Sequence, residues 1–202
     1  MAGDMSNKAE LMRQIKDEVV GLKKSPLAQI RRKDKVLPVI GDGSCDARIM
    51  FVGEAPGKNE AVTGRPFCGA SGRVLDEMLK HIGLDRQDVY IGNLVKDRPP
   101  DNRDPLPEEI LQYSPFLDRQ IDIIQPKIIA TLGRYSMAYL MNKFGLTTEL
   151  KTIGQIHGKI FEVTTSYGNA KIIPLYHPAV ALYQNSMKAK MFKDFEIIKD
   201  LV

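Results

Sequence analysis

Cysteine is scarce: Cys45 and Cys68 are the only two in 202 residues, far apart and without a Cys-x-x-Cys spacing. That argues against a disulfide framework and against a zinc site. Long apolar runs are missing as well. Stretches such as Ile49–Val52 and Ile128–Ala130 last a few residues and are separated by charge, far short of the roughly 20 apolar residues that cross a bilayer. The start, Met1 to Lys8, lacks the charged-then-apolar order of a secretory signal, and a second methionine at Met5 makes residues 1–7 an expected disordered or vector-derived start. There is no internal repeat and no low-complexity segment. These absences predict a soluble, cytoplasmic protein, and 202 residues with 43% apolar content fit one domain around one core.

What is present begins with charge. The net charge is +4 with a pI near 9.0. Basic residues gather between Lys23 and Lys35 and again at Lys188, Lys190 and Lys193, a pattern that suits an anionic partner or an ordinary solvated face. Leu11, Ile15, Val19 and Leu22 recur at helical spacing, which predicts an amphipathic helix over Lys8–Leu22 ended by Pro26 and the basic turn after it. From Ala47 the pattern becomes a buried strand that stops at Gly53, followed by helical periodicity from Val74 to Ile82 with Gly83 as its stop. The cycle repeats with a strand over Val89–Val95, a proline-rich loop over Arg98–Pro107 and a helix over Glu108–Ile124. A third strand, Lys127–Leu132, leads into a helix over Tyr135–Phe144. Two further strands, Lys159–Thr164 and Lys171–Leu175, flank Tyr167-Gly168-Asn169, and a helix over Lys188–Leu201 closes the chain. Strands alternating with helices predict a largely parallel sheet covered on both faces. The site then belongs at the C-terminal ends of the strands, just after Val52, Ile91 and Leu175.

The loop after the first strand runs Gly53-Glu54-Ala55-Pro56-Gly57-Lys58-Asn59-Glu60, then Thr63-Gly64-Arg65-Pro66-Phe67-Cys68-Gly69-Ala70-Ser71-Gly72. Its glycine density suggests a phosphate cradle, but Gly53–Lys58 is one residue short of a P-loop, and Asn59 stands where that motif needs Ser or Thr. Nucleotide hydrolysis is therefore disfavoured. The loop after the second strand begins at Asn93, and the last strand leads into Tyr176-His177-Pro178-Ala179. Glu54, Asn93 and His177 are thus expected at one rim.

Four ordered strings, Gly53-Glu54-Ala55-Pro56-Gly57, Gly64-Arg65-Pro66-Phe67, Asn93-Leu94-Val95-Lys96 with Arg98-Pro99-Pro100 and Asn102-Arg103-Asp104-Pro105, and His177-Pro178-Ala179, resemble family 4 uracil-DNA glycosylases from about Leu11 to the C-terminus. The resemblance implies a three-layer α/β/α sandwich with a four-stranded, mainly parallel sheet, and an enzyme that turns uracil out of DNA and hydrolyses its glycosidic bond as a monomer. Family 4 proteins usually carry a four-iron, four-sulfur cluster on four cysteines. By motif alignment those positions are Leu22, Ser25, Asp97 and Tyr113, none of which supplies a thiolate, so no cofactor is expected. The N-terminal helix and the proline-rich loop should then be held by packing and polar contacts, with Asp97 paired to a nearby Lys or Arg.

Chemistry gives each residue a part. Phe67 would stack on the base, and the Asn93 amide can accept from uracil N3–H while donating to O4, an edge that cytosine inverts. The resemblance implies that Gly53 and Ala55 complete the base pocket. A neutral His177 could donate to the charge developing on O2. Glu54 and Glu60 supply negative charge near the sugar and hold the water; an Asp does this in families that have one at the position of Ala55, so which glutamate serves here stays open, and Glu60 also suits exclusion of thymine. The resemblance also implies that Pro56, Gly57, Ser71, Pro178 and Ala179 fall on DNA-facing loops, and that Val180, Ala181, Leu182 and Tyr183 would press into the duplex behind the flipped nucleotide. Taken singly, Phe67 reads as core, Asn93 as a turn former and the glutamates as solvated charges. Cys68 reads as a small packed residue, and His81 and His157 as surface histidines. Two other functions fit the same strings: a non-turnover binder of uracil-containing or single-stranded DNA, and a glycosylase for hypoxanthine or xanthine. Some relatives trap DNA through an added histidine-bearing loop, and no such insertion is present.

Overall fold

A computed structural model describes residues 2–201, and of residues 2–6 the backbone alone. The expectation for residues 1–7 therefore falls largely outside the described side chains. In chain order the elements are α1 (Ala2–Gly21), α2 (Pro26–Asp34), β1 (Asp42–Gly43), β2 (Ile49–Gly53), α3 (Lys58–Thr63), α4 (Ala70–His81), β3 (Tyr90–Asn93), α5 (Pro107–Ile124), β4 (Ile128–Leu132), α6 (Arg134–Lys143), α7 (Ile153–Ile156), β5 (Phe161–Thr165), β6 (Gly168–Leu175), α8 (Val180–Tyr183) and α9 (Lys188–Lys199).

The sheet has six strands in the order β1-β3-β2-β4-β6-β5. The four central ones are mutually parallel, as expected. The two extra strands are antiparallel edges: β1 covers only Tyr90 and Ile91, and β5 forms a hairpin with β6. A strand of two residues carries no periodicity, which is why β1 had no sequence signal. Every residue of β2, β3 and β4 is buried, as parallel strands between two helical layers must be. Met50, Val52, Ile129 and Ile172 face α1, α5 and α6 through Ile15, Leu117 and Leu140. Ile49, Phe51, Ala130 and Ile173 face α4 and α9 through Leu75, Met78 and Phe195. These are the three layers of the α/β/α sandwich.

Two corrections concern helices. The segment after Pro26 is α2 and not a basic turn: Pro26 stands at the first helical position, Ser25 Oγ accepts from the Ala28 N–H, and Lys35 closes it in the left-handed region. A proline that ends one helix is here the residue that starts the next. Lys58–Thr63, read as glycine-rich loop, is the short helix α3, bounded by Gly57 and by Gly64 at φ 73°.

From the end of β2 the chain goes to β3 on one side of it and then to β4 on the other. Connections that diverge in this way open a crevice at the C-terminal ends of the strands.

Candidate active site

Gly53 and Asn93 end neighbouring strands and pair in register. Their loops are stitched onward by backbone bonds, Leu94 N–H to the Gly53 carbonyl and Val95 N–H to that of Glu54, both 2.9 Å. A methyl group on Gly53 would lie 2.4 Å from Asn93 Oδ1 and 2.7 Å from Phe67 Cζ. Strand, aromatic ring and amide therefore converge on one point, and only glycine leaves room for it.

Phe67 sits there in a left-handed backbone conformation, φ 50°, and is buried. That geometry is uncommon for a bulky residue, and the surroundings impose it. The Cys68 and Gly69 N–H groups both donate to Glu60 Oε1 at 3.0 Å. On the other side Arg86 donates to the Pro66 carbonyl at 3.0 Å and to that of Phe67, and its Nε is held by Asp76 at 2.6 Å. Gly72 lets α4 press against this turn, since a Cβ there would meet the Phe67 carbonyl at 1.8 Å.

His177 follows β6 and tilts 31° against the Phe67 ring, centroids 5.5 Å apart. Its Nδ1 lies 3.2 Å from the Ala179 N–H. A backbone N–H only donates, so Nδ1 accepts and the proton of the neutral ring sits on Nε2. Burial lowers its pKa from 6.5 to about 4, opposed by the charge of Glu60. The ring is thus neutral at pH 7 and presents one N–H.

Glu54 is half-buried, and its Oε1 accepts from the Tyr135 N–H at 3.0 Å, at the first turn of α6. Helix N-termini favour a carboxylate there, but burial outweighs this and raises the Glu54 pKa. One oxygen is fixed by the helix, and the group lines the cleft.

The cleft has a volume of about 340 Å³, within the range of small-molecule sites. Of the residues expected at the site, Glu54, Ala55, Glu60, Phe67, Asn93 and His177 line it, as do Pro56, Gly57, Ser71, Ala179 and Tyr183. Gly53 lies beneath it. Pro178, Val180, Ala181 and Leu182 are not in its lining: Ala181 turns into the core, while Leu182 and Tyr183 point outward, Tyr183 being 85% exposed. The opposite wall, Pro99 and Asn102–Pro105, had no assigned role. Its signal was the Asn102-Arg103-Asp104-Pro105 string itself. Arg103 there makes a double ion pair with Glu109, at 2.6 and 2.9 Å, which fastens the loop to α5. Two minor expectations fail. Cys68 is exposed, because the Phe67 turn points it outward. His157 is half-buried, its Nδ1 2.7 Å from Asp194 and its ring over Tyr176.

Behind this wall, Ser25, Asp97 and Tyr113 meet. Tyr113 Oη donates to Asp97 at 2.6 Å and lies 3.0 Å from Ser25 Oγ. Arg31 Nη1 reaches both Asp97 oxygens at 3.0 Å, and its Nη2 caps the last turn of α1 on the Val19 and Val20 carbonyls. Both partners of the ion pair are buried. Burial pushes the Asp97 pKa up, while the Tyr113 and Arg31 contacts hold it down. No group of three or more His, Cys, Asp or Glu side chains that could hold a metal occurs among the described residues.

Residues 40–201 match the family model described as the uracil DNA glycosylase superfamily. The chain belongs to that superfamily. Its relatives include proteins named type-4 uracil-DNA glycosylase from Sulfurisphaera tokodaii, 47% identical over 94% of this chain and 84% of that protein; from Archaeoglobus fulgidus, 45% identical over 84% of each; and from Thermotoga maritima, 36% identical over 98% of each. The superfamily match begins near β1 and takes in every residue placed above around the cleft. No described helix is long and apolar enough to cross a membrane.

Proposed function

We propose that this chain is a monofunctional uracil-DNA glycosylase of DNA repair, which flips uracil into the cleft and hydrolyses its bond to deoxyribose. The convergence of the Phe67 ring, the Asn93 amide and the His177 ring above Gly53 carries the reading. A flipped pyrimidine stacked on Phe67 puts its N3–O4 edge at Asn93, where one acceptor and two donors match uracil and mismatch cytosine. His177 Nε2–H then faces O2, where negative charge grows as the glycosidic bond lengthens. A donor that is already neutral and fixed needs no rearrangement to meet that charge.

Glu54 is assigned to the sugar side. Its carboxylate lines the cleft with one oxygen fixed by the Tyr135 N–H, so it can accept the proton of the attacking water, and its negative charge stabilises the cation forming at C1′. Glu60 is assigned to the platform, because its Oε1 holds the Phe67 turn. Glu54→Gln should therefore lower kcat by roughly 100-fold with little change in KM, and Glu60→Gln, which keeps an acceptor oxygen, by much less.

The same reading makes the protein a cluster-free member of its superfamily. Iron–sulfur clusters bind thiolates or, less often, imidazoles. The aligned positions hold a leucine, a serine, an aspartate and a tyrosine, and the three polar ones are already bonded to one another or to Arg31. The group does not fit these residues, and no step of the reaction is routed through one. The purified protein should lack stoichiometric iron and the broad absorbance near 400 nm. The reading is completed by one domain acting as a monomer on uracil-containing DNA in the cytoplasm.

The deciding assay incubates the protein with an oligonucleotide bearing one uracil and then treats it with alkali. Strand breakage at the uracil over many turnovers is expected, along with protection of matched strands bearing cytosine, hypoxanthine or xanthine. An intact uracil strand at excess protein would overturn the reading, and a stalled or covalent complex would favour a binder without turnover.

A further inference from the structure

Lys96 closes the Asn93-Leu94-Val95-Lys96 string, yet it touches neither cleft nor solvent: its side chain is fully buried. Among the described residues no carboxylate pairs with it. Burying an amine without a counter-ion is costly, and here burial lowers its pKa to about 7. Nζ donates to the Asn93 carbonyl at 2.7 Å and to Gln120 Oε1 at 2.5 Å. Gln120, also fully buried, anchors the arrangement through its Nε2, which donates to the Ile40 carbonyl and to Tyr90 Oη, both at 3.0 Å.

Strand topology explains why a lysine is needed. Backbone groups of successive strand residues point to opposite edges. Leu94 N–H turns toward β2 and bonds to Gly53, so the Asn93 carbonyl turns toward the other edge. There β1 pairs with Tyr90 and Ile91 and goes no further. The Asn93 carbonyl would be a buried acceptor without a strand partner, and Lys96 reaches back three residues to supply the donor.

We infer that Lys96 is a positioning residue for base reading: it fixes the Asn93 peptide, and through it the Asn93 amide, at the rotation that matches a pyrimidine lying on Phe67. The inference rests on Asn93 as the uracil reader. It adds that the reader's accuracy depends on a residue that never meets DNA.

The test is a double-mutant cycle read by inhibition with free uracil and by KM for a uracil oligonucleotide. K96M keeps the length and apolar bulk of the side chain and removes the donor. It should weaken uracil inhibition by roughly tenfold or more and raise KM, while affinity for DNA bearing an abasic site stays within about twofold. K96Q, which keeps a shorter N–H donor, should fall between. In an N93A background K96M should add less than about twofold, because the group it positions is gone. Should K96M fail to fold, the same cycle is read in K96Q, whose smaller loss must likewise vanish on N93A. An unchanged uracil inhibition in the Lys96 variants, or a loss that repeats in full on N93A, would overturn the inference. If N93A itself left uracil inhibition unchanged, the reading of Asn93 would fall first.

Discussion

At the scale of single residues, the proposed reaction makes His177 the group whose charge state would govern its acid side. Its pKa is about 4 in the folded chain against an ordinary 6.5. Between those two values the unfolded chain binds the extra proton and the folded chain does not, so stability contributed by this group falls as the pH drops through that window. Across the same window the folded ring stays neutral and keeps its Nε2–H, the donor that the proposed reaction directs at O2. The loss of kcat/KM that belongs to His177 should therefore centre near pH 4 rather than 6.5, as a pH–rate profile against His177→Asn would reveal. His177→Ala and Asn93→Ala should each lose roughly 100-fold or more in kcat/KM with a retained circular-dichroism spectrum, since both line the cleft rather than the core.

Elements matter through how they meet. The N-terminal part of α4 touches the Phe67 turn so closely that Gly72→Ala must push either the helix or the turn aside. Overpacking of this kind costs about 1–3 kcal/mol, and displacement of the platform should cut activity further than the drop in urea midpoint alone explains. Behind the opposite wall, the Arg31–Asp97 pair ties α2, the end of α1 and the loop after β3 together, and Tyr113 adds α5. Removing one partner leaves a buried charge unmatched. Arg31→Met should destabilise by about 3–5 kcal/mol, whereas the double change Arg31→Met with Asp97→Leu should recover most of that. Equal losses for the single and double variants in chemical denaturation would contradict this account.

At the scale of the whole molecule, a net charge of +4 and the exposed tip at Leu182 and Tyr183 describe how DNA would be met. Phosphate contacts supply affinity that weakens with salt, and an outward aromatic residue beside the cleft can fill the gap left by a flipped nucleotide. Tyr183→Ala should therefore slow excision from duplex DNA by roughly tenfold while leaving single-stranded substrates within about twofold, because only the duplex has a stack to invade. Competition assays at two salt concentrations would separate this effect from general loss of DNA affinity.

Much of the molecule was legible in the chain because its signals are local. Aliphatic runs with helical periodicity between them gave the central parallel strands and the long helices, and the rule for strand ends placed Glu54, Asn93 and His177 at one rim. The helix α2 was hidden because a proline reads alike as a stop and as a first turn until Ser25 is seen capping it. Other features depend on residues far apart in sequence and could be decided only by folding. The tautomer of His177, the different backbone partners of Glu54 and Glu60, the Arg86 clamp on Phe67 and the Lys96 contact to Asn93 each depend on a hydrogen bond between side chain and backbone whose length and direction no spacing encodes. The sequence by itself determined which chemical groups this protein has and the order in which they are strung. Tertiary structure alone decided which of them face the cleft and which hold the others in place, because burial and directional hydrogen bonding exist only once the layers have closed.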